Sequence, residues 1–275
     1  APRRSSVGET ITRGGCVTVH DTQLNKAVDW LAQSRRVAVL TGAGISAESG
    51  IPTFRDALTG LWERFEAADL ATPRAFREDK SLVWGWYEWR RMQVLRSEPN
   101  AGHRALVALS ERVEDCRLIT QNVDDLHERA GSPDVVHLHG SLLHPRCFAC
   151  GHPHVLPDGI PDEPEGGRSI QPPRCERCRG YVRPGVVWFG ESLPTLAWSA
   201  AEHAVRECDL FLSIGTSGQV FPAAGLHQIA AQQGKSIIVV NPGELADGQS
   251  RELCLRGSAG EVLPALMARW SAIDP

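Results

Sequence analysis

No apolar run in the chain approaches the ~20 residues needed to cross a bilayer. Stretches such as Ile237–Val240 stop after a handful of residues. An excess of one charge sign is also missing: 29 basic against 33 acidic residues give a formal charge of 29 − 33 = −4. A global positive field favouring nucleic acid or an anionic membrane is therefore excluded, and neither is expected as a partner. The basic opening, Ala1 to Ser6, has no apolar segment behind it and reads as a loose arm rather than a secretory leader. No internal repeat is visible. With 42% apolar and 23% charged residues, the composition argues against disorder, collagen and coiled coil. A disulfide framework is not indicated either. Such frameworks belong to small secreted chains, whereas here eight cysteines are spread over 275 residues and only four fall in pairs. A reducing compartment, the cytoplasm, is the expected location.

What is present is an alternation of short buried strands and helical stretches. Residues 1–20 carry no periodicity and read as a flexible arm. Asp21-Thr22 could cap a helix whose apolar positions are Leu24, Ala27, Val28 and Leu31. Arg36 to Thr41 reads as a buried strand that runs into a Gly-rich turn, Gly42 to Gly50. Residues 56–98 look helical and aromatic-rich, and helix continues through His103 to Leu109. Further strands are expected at 117–122, 134–140, 186–190, 209–215 and 236–242, with helices near 196–206, 222–232 and 261–271. This order predicts an α/β fold with a mostly parallel, doubly wound sheet. Residues 145–183 differ: Pro, Gly, Cys and Arg dominate, and 157–173 reads as a loop.

Three signals carry chemistry. Cys147-Phe-Ala-Cys150 and Cys175-Glu-Arg-Cys178 lie 24 residues apart. Two such knuckles close a tetrahedral four-sulfur zinc site with no position left for water, so the metal should be structural. Two redox dithiols are the alternative. Arginines at 146, 174, 177, 179 and 183 surround the knuckles, and zinc ribbons can bind nucleic acid, but the sheet carries site chemistry of its own. The second signal is Gly42-Ala43-Gly44-x-x-Ala47, weak alone but placed directly after a strand, as a phosphate-binding turn requires. No acidic strand tip follows about twenty residues later, which disfavours an ordinary dehydrogenase. The third is a set of polar strand tips: Gln121-Asn122-x-Asp124, His139-Gly140, Gly215-Thr216-Ser217 and Asn241. Each alone could be a turn or cap. Together they sit where ligands bind in open α/β sheets. His139 can act as a general base near neutral pH. A purely structural role suits His103, His127 and His137 better.

Gly42 to Arg55, Gln121 to Asp124, His139-Gly-Ser141, the two C-x-x-C pairs, Val187-Trp-Phe-Gly-Glu191 and Gly215-Thr-Ser217 occur in this order in the sirtuins, NAD-dependent protein lysine deacylases. The chain resembles that family over about residues 22–271. The resemblance implies a Rossmann-like domain formed by 21–55, 101–144 and 184–275. A smaller domain would combine the helical insertion 56–100 with a zinc-ribbon module at 145–183. It implies NAD contacts from Gly42, Ala43, Gly44, Ser46, Glu48, Thr53, Phe54, Arg55, Trp62, Gln121, Asn122 and Asp124. The adenosine half would be lined by Gly215, Thr216, Ser217, Asn241, Pro242, Gly243 and Ala259. His139 and Asn122 are the implied catalytic pair. In the implied reaction the acyl oxygen attacks C1′ of the nicotinamide ribose, nicotinamide leaves, and His139 serves as base on a ribose hydroxyl. The products are lysine, nicotinamide and O-acyl-ADP-ribose. An acyl-lysine peptide would lie as an added strand along Val187, Trp188, Phe189, Gly190 and Glu191.

Trp86-Tyr87-Glu-Trp-Arg90 is similar to the class III branch, which includes bacterial members and the mitochondrial desuccinylase. Tyr87 and Arg90 stand three apart on one helical face. By position alone, Arg90 could equally form a local ion pair or extend its charge to solvent. The resemblance implies that the pair reads the carboxylate of succinyl- or malonyl-lysine, with room left by the small Ala67. Other functions remain in view: a deacetylase, a mono-ADP-ribosyltransferase, or a non-catalytic NAD-sensing zinc module. Mass analysis of an acyl-peptide incubated with NAD separates them, because loss of acyl mass and gain of ADP-ribose mass are distinct.

Overall fold

The computed structural model describes residues 19–53, 61, 63–157, 159, 166–243 and 251–273. The chain begins with α1 (Val19–Ala32), β1 (Arg36–Thr41) and the short α2 (Ala43–Ala47). Helices α3 (Ala67–Leu70), α4 (Pro73–Glu78), α5 (Lys80–Arg96) and α6 (Ala101–Ser110) lead to β2 (Asp115–Thr120), α7 (Leu126–Ala130) and β3 (Val136–His137). Next come β4 (Gly140–Cys147), β5 (Val182–Val186), α8 (Thr195–Glu207) and β6 (Leu210–Ile214). The chain closes with α9 (Gly225–Gln232), β7 (Ser236–Asn241), β8 (Glu252–Arg256) and α10 (Ala259–Ile273). Among the described residues, no helix is long and apolar enough to cross a membrane.

Six strands form one sheet in the order β3-β2-β1-β6-β7-β8, and every pair is parallel. The expected doubly wound sheet is therefore present. The central strands β1 and β6 are buried on both faces, which explains their unbroken apolar runs. Along β1, Val37 and Val39 pack with α1, α6 and α10, while Ala38 and Leu40 pack with α8 and α9. Strand order reverses at the β1/β6 junction, so Thr41, Thr120 and Ile214 end side by side at the carboxyl edge. That edge is where such a sheet opens a ligand crevice.

The second unit is built from α3, α4 and α5 packed against a two-stranded antiparallel sheet of β4 and β5. It does not continue as one helix over 56–98. Thr72 caps α4 by accepting from the Ala75 amide, and Asp79 caps α5 by accepting from Ser81 and Leu82. Asn100 caps α6, so a fresh helix begins there.

Other boundaries differ from the sequence reading. Helix α1 starts at Val19, which puts Asp21 in its first turn rather than at a cap. The strand expected at 117–122 runs from Asp115 to Thr120. The strand expected at 134–140 is only Val136–His137. Gly140, at φ +74°, turns the chain into β4, and a Cβ there would meet Gly185 O at 2.2 Å. The strand expected at 186–190 instead ends at Val186 and belongs to the small antiparallel sheet. Beyond it the Glu191 carboxylate folds back on the Trp188 amide at 2.9 Å, which breaks the extended backbone. Strand β8 was not foreseen; it is a parallel edge strand beside β7.

Candidate functional site

The Gly-rich turn is locked to the neighbouring strand tip. The Gly42 amide donates to Ile214 O at 3.0 Å, and the Gly44 amide to Gly215 O at 2.9 Å. A Cβ at Gly42 would meet Gly215 O at 2.8 Å; one at Gly44 would meet Gly215 Cα at 2.7 Å. A Cβ at Gly215, itself at φ +60°, would meet Ile45 N at 2.6 Å. The glycines are thus required by contact between two turns of this chain. Asn241 supports the same edge, donating to Thr216 O at 2.8 Å. Ser217, Pro242 and Gly243 form its exposed rim.

Behind the turn lies a buried polar network. The Asn122 carboxamide donates to Ser46 Oγ at 3.1 Å, and Ser46 donates to Asp124 Oδ2 at 3.0 Å. Asp124 Oδ1 accepts from the Leu126 amide at 3.1 Å. Burial pushes the Asp124 carboxyl above its usual range, against the pull of these two bonds. The Asn122 amide donates to Thr120 Oγ1, which also accepts from Thr41. His127 Nε2 meets Thr41 at 2.9 Å. Burial pushes the pKa values of His103 and His127 down to about 4 and about 3, so both rings stay neutral at physiological pH.

His139 ends the short strand β3 region half-buried. Its Nδ1 lies 2.9 Å from Gln121 O. A carbonyl only accepts, so Nδ1 carries the proton and Nε2 keeps its lone pair. Burial lowers the His139 pKa, partly offset by that bond, and so favours the neutral base. His137 is different. Burial alone would lower its pKa, but the Glu128 carboxylate at 2.6 Å raises it above the ordinary value.

The segment after β5 is tied to this site. The Val187 amide donates to His139 O at 2.8 Å, and the Phe189 amide to Ala71 O at 2.9 Å. Trp188 donates its amide to Glu191, and the Glu191 amide donates to Trp188 O. These four amides are therefore engaged within the chain. A peptide laid beside the segment must rely chiefly on its carbonyl oxygens.

Glu48 reaches the start of α10, the helix that Ala259 opens. The Glu48 carboxylate accepts from the Gly260 amide at 2.7 Å and from the Ser258 hydroxyl at 2.9 Å, capping α10 from outside. Replacing Glu48 with Ala should lower the melting midpoint by about 2–4 °C, with little change in NAD affinity measured by calorimetry. A large affinity loss at unchanged stability would assign Glu48 to the cofactor instead. Thr53 closes a described segment, whereas Phe54, Arg55 and Trp62 lie outside the described residues.

The four paired cysteines converge. Their sulfurs all lie within 4.8 Å of one another, with Cys147 3.4 Å from Cys178 and Cys150 3.8 Å from Cys175. A tetrahedron of sulfurs about 2.3 Å from zinc has edges of about 3.8 Å, so the donor set fits zinc. Burial opposes ionisation of Cys147, but the amides of Cys150 and Ala149, joined by the thiols of Cys178 and Cys150, outweigh it and bring its pKa down to about 6. A thiolate is the form that binds metal.

Ala67, Tyr87 and Trp188 belong to one buried apolar cluster of the small unit. Tyr87 Oη accepts from Trp188 Nε1 at 3.1 Å. The Arg90 guanidinium lies over the Trp86 ring at 5.2 Å. Burial lowers its pKa, and the nearby Tyr87 and Asp124 oppose that shift.

The chain matches the family model described as Sir2 family over residues 42–222. It is 60% identical over 237 residues to an NAD-dependent protein deacylase of Methylococcus capsulatus, covering 86% of this chain and 93% of that protein. Among solved structures it resembles a Sir2 homologue in complex with NAD, at TM-score 0.80 and 41% identity, covering 90% of this chain and 94% of that one. It also resembles a mutant Sir2 homologue holding 2′-O-acetyl ADP ribose, at TM-score 0.80 and 43% identity, covering 90% and 96% of the two chains.

Proposed function

The chain belongs to the Sir2 family and is an NAD-dependent protein deacylase, and we propose that it prefers lysine acyl groups ending in a carboxylate, succinyl and malonyl above acetyl. The residues fit NAD: a buried set of Ser46, Asn122 and Asp124 stands beside the Gly-built turn at the point where strand order reverses. Bound there, NAD supplies a nicotinamide leaving group and a ribose that accepts the acyl group. His139 holds a lone pair at Nε2 for removing a hydroxyl proton. Asn122 and Asp124 orient polar groups from a network that water does not reach. Zinc organises the small unit and takes no part in the chemistry, because four thiolates leave it no open position.

The observation that carries the acyl preference is the pairing of Tyr87 with Arg90 beside the small Ala67. A phenol and a guanidinium on one helical face make a donor pair for an anionic oxygen. A second reading has its own support. Asp124 acts on Arg90 electrostatically, so Arg90 could serve as counter-charge to the nicotinamide side of the site. One experiment separates the two. Arg90→Met combined with Tyr87→Phe should lower the succinyl:acetyl ratio of kcat/KM about 10–150-fold. If both activities fall by the same factor, Arg90 serves Asp124 and the acyl preference fails.

A further inference from the structure

The Tyr87 hydroxyl has a fixed polarity. Its partner is the indole Nε1 of Trp188, 3.1 Å away, and an indole nitrogen donates and never accepts. Tyr87 is therefore the acceptor in that bond, whatever the hydrogen positions. Its own proton must point elsewhere, and among the described residues no acceptor lies within its reach. Arg90 is the cation that acts most strongly on this phenol. A phenolic O–H beside a guanidinium favours an incoming anion over a methyl group.

The indole is itself held. Arg183 stacks on the Trp188 ring at 3.4 Å, and its guanidinium grips both oxygens of Glu191, at 2.5 and 2.9 Å. Arg183 also donates to Val186 O and Pro184 O, and Glu191 returns to the Trp188 amide at 2.9 Å. Trp188 is 1% exposed and Arg183 4% exposed, so their stacking lies away from solvent, while Glu191 is half-buried.

We propose that Trp188 is a positioning residue for acyl selection: its indole N–H donates to the Tyr87 oxygen and so turns the phenolic proton away from itself, toward the distal carboxylate of the substrate. The proposal rests on the acyl preference above.

Three measurements test it. In 15N-labelled protein, the Trp188 Nε1–H resonance, identified by its loss in Trp188→Phe, should move upfield in Tyr87→Phe; an unmoved resonance would mean that the bond is absent and the proposal wrong. Trp188→Phe should lower the succinyl:acetyl ratio of kcat/KM about 3–10-fold, chiefly through the KM of the succinyl peptide. In a Tyr87→Phe background the same change should lower that ratio no further. Replacing Trp188 by benzothienylalanine, which exchanges the N–H for sulfur within the same ring shape, should reproduce the loss if Trp188→Phe disturbs folding. A ratio unmoved by Tyr87→Phe overturns the acyl preference and this proposal with it. A ratio lowered by Tyr87→Phe but not by loss of the N–H, or lowered again in the Tyr87→Phe background, overturns this proposal alone.

Discussion

His139→Ala should reduce the deacylation rate about 10²–10⁴-fold, the range of a lost general base, while NAD still binds. The two effects separate because the imidazole and the Gly-rich turn rest on different supports. The ring is held through Nδ1 by Gln121 O, whereas Gly42 and Gly44 are held by Ile214 and Gly215. Rapid-mixing kinetics with calorimetric NAD titration would check both parts. Loss of NAD binding together with the fold would make His139 a structural residue. The pH profile adds a second check. Burial lowers the His139 pKa below its ordinary 6.5, so the neutral base persists to lower pH. The acid limb of kcat/KM should therefore fall below that value, with activity lost as pH drops through the lowered pKa.

Removing zinc should be at least as damaging. Binding energy at a four-thiolate site is folding energy, about 10–16 kcal/mol near neutral pH for small zinc modules. That matches or exceeds the whole stability of a typical domain, about 5–15 kcal/mol. Cys147 ends β4 and pairs in register with Val182 of β5. Loss of the metal should undo that two-stranded sheet, and with it the Val187 amide bond to His139 O. Cys147→Ala is expected to give aggregated or unfolded protein with no zinc and no deacylation. Metal analysis, circular dichroism and activity on one preparation suffice. A zinc-free variant that stays folded and fully active would show that the four thiols have another purpose.

Much of this was legible in the sequence because the signals were local. The central parallel strands announced themselves as apolar runs, since burial on both faces leaves no polar alternation. The cysteine pairs were read from spacing alone, and their sulfurs do converge. The Val186–Gly190 strand was misplaced because the deciding contact, Glu191 folding back through Arg183, depends on partners that spacing does not show. Strand β8 was missed because Glu252 to Arg256 alternates weakly and contains arginine, as an edge strand does. The resemblance implies a cofactor contact for Glu48, and nothing in the sequence points to its tie within the chain. Its carboxylate reaches Gly260, 212 residues away, a contact no local pattern contains.

The interlock of Gly42, Gly44 and Gly215 bears on how this protein can change by mutation. In each case the obstructing atoms belong to the partner's backbone, at 2.6 to 2.8 Å. A second substitution cannot shrink a backbone, so no compensating pair among the three relieves the crowding. A mutagenesis library aimed at a different dinucleotide would waste its diversity on those codons. Variation belongs instead on the exposed rim of Ser217, Pro242 and Gly243, where a new side chain meets solvent before it meets the chain.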